Sequence, residues 1–94
     1  MKIIVDRGLY PDKFYPIPNN EKINDAASVL MYYGLKPINP LDIENINYYI
    51  KSGSLRGPEV NRLFSLNDRL YVFDRWDGEY PFNGVIVERI GYIQ

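Results

Sequence analysis

RLYVFDRWDGEYPFNGVIVERIGYI, residues Arg69 to Ile93, is the stretch on which the fold turns. Two apolar runs rich in β-branched and aromatic residues flank a segment carrying Asp77-Gly78, Pro81 and Asn83-Gly84. That is the pattern of a β-hairpin. Asp-Gly and Asn-Gly are both favoured two-residue turns, and using both would make Glu79 to Phe82 a middle strand. Pro81 argues against this, because proline cannot donate to the ladder of a central strand. The pattern therefore predicts two long strands, about 69–76 and 84–93, joined by a protruding loop. That loop carries Trp76, Asp77, Glu79, Tyr80 and Phe82. Glu88 and Arg89 interrupt the apolar pattern of the second strand, and Gly91 marks a bulge.

Working outward, Lys2 to Asp6 reads as a short apolar strand ended by Arg7-Gly8. Gly8 to Asn20 holds three prolines with Tyr10, Phe14 and Tyr15, which predicts an extended arm whose Phe14 and Tyr15 cap the chain's own core. Asn20 is placed to cap a first helix with Ile23, Ala26, Ala27 and Leu30 as its buried stripe and Gly34 as its stop. Asn39-Pro40 opens a second helix, with Ile43, Ile46 and Ile50 facing inward and Gly53 ending it. Each helix carries a tyrosine pair, Tyr32-Tyr33 and Tyr48-Tyr49, with one ring for the core and one for the rim. Pro58 to Phe64 suggests a third, short helix. The alternative is a strand over Val60 to Leu66 that turns at Asn67-Asp68.

The fold predicted from this order is α+β, one domain over residues 1–94. A small antiparallel sheet is made of the N-terminal strand and the C-terminal hairpin, with two to three helices packed on one face.

Composition narrows the function. Eleven basic and twelve acidic residues give a formal charge of −1, which disfavours nucleic-acid binding through bulk charge. The chain has no cysteine, so disulfides, thiol catalysis and thiolate metal sites are excluded. It has no histidine, which removes the commonest general base and zinc ligand. No apolar run is long enough to span a membrane and no signal-peptide pattern opens the chain, so a cytoplasmic protein is expected. Nine Asn and eleven Ile fit an A/T-rich coding sequence, as in many viruses and mobile elements and in ordinary low-GC organisms too.

Three constellations offer chemistry. Asp74, Asp77 and Glu79 could hold a hard cation, but their spacing matches no calcium loop. With Glu88 they could form a general acid/base pair. Arg69, Arg75 and Arg89 interleave with Tyr71, Trp76 and Tyr92, as in proteins that stack single-stranded bases. A winged-helix-like reading adds Arg56 and Arg62 on a short helix. Nine tyrosines and an exposed aromatic, acidic loop instead resemble the anchors of a protein–protein interface. The function expected is a small non-catalytic protein-binding module, acting on a protein partner or as a homodimer. Trp76, Tyr80 and Phe82 are its anchors, with Arg75, Asp77 and Glu79 at the rim. No metal or cofactor is expected. The alternative is a nucleic-acid-binding regulator using Arg56, Arg62, Arg69 and Arg75.

Overall fold

The structure is a computed structural model that describes residues 1–20, 22–77 and 83–94. Its backbone is the predicted hairpin. Strand β5 (Arg69–Asp77) pairs antiparallel with β6 (Gly84–Ile93). The ladder is bulged twice. Leu70 faces Gly91 while Tyr71 faces Arg89, so Ile90 is the extra residue on β6 beside the expected glycine. Phe73 faces Val87 while Arg75 faces Ile86, which leaves Asp74 as the extra residue on β5.

The sheet is larger than the sequence suggested. Among the described residues it has six strands, all antiparallel in their pairing. Strand β4 (Leu63–Leu66) joins β5 through a two-residue turn, and β3 (Lys36–Pro37) pairs with β4. Asn67 and Asp68 both take positive φ, 50° and 60°, the geometry of the tightest hairpin turns. On the other side of β6 lie β1 (Ile3–Val5) and β2 (Lys13–Pro16). The extended arm is thus an edge strand. Pro16 is tolerated there because an edge strand can spare an N–H, and the Tyr33 hydroxyl donates to the Pro16 carbonyl at 2.8 Å.

The helices do not share one face, and this corrects the expected packing. Side chains on a strand alternate, and both faces of this sheet are apolar. Ile3, Leu63, Leu70, Val72 and Ile90 belong to one core with Ile43 and Ile46. Tyr15, Phe64, Tyr71, Val85 and Val87 belong to a second core with Val29 and Leu30. Helix α2 (Ile46–Ser52) therefore covers the first face and α1 (Ala26–Tyr32) the second.

Both helices start later than predicted. The side chain of Asn20 closes only a local turn, accepting from the Lys22 N–H at 3.0 Å. Asp25 is the true cap, accepting from the Ser28 N–H at 2.9 Å and the Ser28 hydroxyl at 2.8 Å. These bonds hold the Asp25 carboxyl below its usual pKa. Val29 and Leu30 are consequently the buried pair, and Ala27 is exposed. Asn39 caps only a 3₁₀ turn, Pro40–Asp42. Ile43 and Ile46 are buried as expected, but Ile50, one turn further along the helix, is exposed. In each tyrosine pair one ring, Tyr33 or Tyr49, lies against a core, while Tyr32 and Tyr48 face solvent. The segment after Gly53 divides the two alternatives: a 3₁₀ turn over Gly57–Arg62 replaces the short helix and the first half of the strand, and β4 keeps the strand's second half and its Asn67-Asp68 turn.

Candidate functional site

Strands β1 and β2 lie end to end along β6, and the chain between them, residues 6–12, leaves the sheet opposite Glu88 and Arg89. Two glycines of β6 let this edge dock closely. A Cβ at Gly91 would overlap the Ile4 carbonyl, and one at Gly84 would overlap the Tyr15 carbonyl and the Phe14 ring. The free edge of β1 is covered by the Asn45 amide, which accepts from the Ile3 N–H at 3.0 Å and donates to the Ile3 carbonyl at 2.8 Å. That side chain stands in for a further strand and blocks edge pairing.

The excursion sends one basic side chain to the α2 face. The Arg7 guanidinium donates to Glu59 at 2.6 Å, to Glu88 at 3.3 Å and to the Ser54 carbonyl at 3.1 Å. Glu59 is nearly enclosed and also accepts the Arg56 N–H at 2.9 Å. Burial alone would raise the Glu59 pKa, but the Arg56 N–H and the Arg7 guanidinium outweigh it and hold the carboxyl below its ordinary value. A polar cleft of about 400 Å³ beside this network is lined by Arg7, Arg56, Glu59, Arg62, Asp74 and Glu88. Its three cations and three anions balance, as in a network that locks the excursion to the sheet.

Beyond this cleft, among the described residues, no helix covers the same face. Phe14 and Ile86 are cross-strand partners on it, as are Arg75 and Ile86. With Asp77 they line an open groove of about 430 Å³. The Phe14 ring is 45% exposed. The residue next to it, Tyr15, turns to the other face and is buried, so the expected joint capping of the core by both rings is corrected by strand alternation.

The predicted site residues are divided by the sheet. Arg75 and Asp77 line this groove. Trp76 pairs with Val85 and so points to the α1 face, where it is 38% exposed. Glu79, Tyr80 and Phe82 lie outside the described residues. The four arginines of the nucleic-acid alternative fall in three places. Arg56 and Arg62 line the charge-balanced cleft, Arg75 lines the apolar groove, and Arg69 lines a third cleft on the opposite face. The segment bearing Arg56 and Arg62 is a 3₁₀ turn of six residues, not a helix able to fill a groove. Among the described residues, no cluster of carboxylates is placed to hold a metal ion, and no helix is long and apolar enough to cross a membrane.

Sequence reasoning assigned Phe14 to the core first and to the interface only as an extension, gave Arg7 a local ion pair with Asp6, and missed Ile86 and Glu59. The two-residue period of Lys13-Phe14-Tyr15 carried a signal for Phe14: only one of two adjacent rings on a strand can enter a given core. Nothing local linked Arg7 to Glu59, 52 positions away. No protein-family model matches the chain, and neither a curated protein nor a solved structure matches it, so the site stands on its own geometry.

Proposed function

We propose that this protein acts by binding, without catalysis, and that the uncovered hairpin end of the α2 face docks a second copy of the chain. The observation that carries this reading is the groove itself. The α2 layer stops short, and Phe14 and Ile86 are left as an apolar centre with Arg75 and Asp77 beside them. An apolar centre exposed on each copy is self-complementary across a two-fold axis, with Phe14 and Ile86 of one copy meeting those of the other and Arg75 at the rim. Apolar anchors supply the energy of such a contact and rim charges its register.

Size sets a requirement. A stable interface covers about 800 Å² per partner, roughly an eighth of this chain's 6248 Å² surface. The contact must therefore run past the groove onto neighbouring parts of the hairpin end. A nucleic-acid reading is supported less well, because Arg56 and Arg62 line a charge-balanced cleft, Arg75 an apolar groove and Arg69 the opposite face.

Sedimentation velocity over a concentration series tests the proposal. A concentration-dependent monomer–dimer equilibrium is expected, shifted to monomer by Phe14→Asp. Phe14 is exposed, so this variant should keep its fold, as circular dichroism would verify. A wild-type chain that stays monomeric into the submillimolar range, or a dimer indifferent to Phe14→Asp, would sink the proposal.

A further inference from the structure

The same excursion that sends Arg7 to the α2 face sends Tyr10 to the α1 face. There its ring meets Arg89, whose guanidinium carbon lies 4.0 Å from the ring centroid. Lys13 from β2 and Arg69 from β5 approach the same place, and Tyr71, nearly fully buried, lies between the strands. Together with Pro11 and Asp12 these residues line a cleft of about 210 Å³. We propose that this cleft is an oxyanion site that binds a phosphate group through Lys13, Arg69 and Arg89.

Three observations converge on it. The first is charge: three cations face one carboxylate, a local excess of two positive charges on a chain whose formal charge is −1. None of the three cations has an ion-pair partner among the described residues. In the other charged cleft, by contrast, Arg7 is satisfied by Glu59 and Glu88.

The second is desolvation. The Arg89 Nε is enclosed with no hydrogen-bond partner, and one face of its guanidinium is covered by Tyr10. An enclosed donor without an acceptor is destabilising, and an acceptor brought to it relieves that cost. A cation held partly out of water attracts an anion more strongly than a hydrated one. Tyr10 also fixes the plane of the guanidinium, so less freedom is lost on binding.

The third is size. A cleft of about 210 Å³ falls below the ~300–1,000 Å³ of small-molecule pockets. It suits a phosphate group rather than a cofactor. Tyr71 is too buried to stack on a base and one face of the Tyr10 ring is taken by Arg89, so the cations carry the recognition.

The test is titration of the ¹⁵N-labelled full chain with inorganic phosphate at low ionic strength, against sodium chloride at matched ionic strength. A second arm uses oligothymidylate lacking terminal phosphates, which offers phosphodiesters only. Saturable amide shifts confined to the neighbourhood of Lys13, Arg69 and Arg89 are expected with phosphate and not with chloride. Lys13→Gln and Arg69→Gln alter exposed side chains and keep the fold; each should weaken binding about three- to tenfold. Arg89→Lys keeps the charge but loses the planar contact with Tyr10, and should bind more weakly than wild type. Tighter binding of the oligonucleotide, falling with salt, would identify a nucleic-acid backbone as the source of the phosphate. Binding of inorganic phosphate alone would identify a small phosphorylated ligand. Shifts that do not saturate, or equal affinity in Lys13→Gln and Arg69→Gln, would overturn the site.

Discussion

Gly91 and Glu59 carry more of this structure than their size or position in the sequence suggests. At Gly91 the close neighbour is backbone, the Ile4 carbonyl, which has no flexible end to move aside. Gly91→Ala must therefore part β1 from β6 at their ladder, and a loss of about 2–4 kcal/mol in denaturant unfolding is expected. Glu59 ties the excursion to the Gly57–Arg62 turn by accepting from both Arg7 and the Arg56 N–H. Its folded pKa is lowered, so it holds its proton less tightly folded than unfolded. Its stabilising contribution is complete above the ordinary glutamate pKa, about 4.3, and is lost as pH falls through the lower folded value. Unfolding free energy measured from about pH 6 down to pH 3 should decline in the acid limb, and Glu59→Gln should flatten that decline.

At the scale of elements, the hairpin end behaves differently on its two faces. Helix α1 covers Val85 and Val87, but Trp76 lies outside that core. Trp76→Ala should therefore change stability by no more than about 1 kcal/mol. Trp76 is the sole tryptophan of the chain, so its fluorescence reports on it alone. Emission shifted to the red and readily quenched by acrylamide is expected. A blue-shifted, protected signal, or a large loss of stability in the alanine variant, would place the ring in the core. The helix ends were the most readable elements. Gly34 and Gly53 both adopt the left-handed backbone that their position after a helix predicts, with φ of 92° and 83°. Helix starts were less readable, because Asn20, Asp25, Asn39 and Asn45 are all chemically able to cap. Propensity does not say which of them precedes a segment with a core to enter.

For the molecule as a whole, the body is elongated, 39 × 24 × 22 Å. The uncovered end is the surface on which dimerisation is expected, and the Phe14→Asp sedimentation comparison tests it. Local sequence determined the hairpin almost to the residue, 69–77 and 84–93 against an expected 69–76 and 84–93, because alternation, proline and glycine act within a few positions. It also determined the mixed α+β class, and the tyrosine pairs split between core and rim. The tertiary structure alone decided the rest. Strands of two to four residues such as β2 and β3 have too little local preference to declare themselves, and they form because a neighbouring strand offers hydrogen bonds. The division of the helices between two faces depends on apolar residues from both phases of each strand finding separate partners far away in the chain. The pairing of Arg7 with Glu59 and of Tyr10 with Arg89 depends on the break between β1 and β2, which exists only once both are laid along β6.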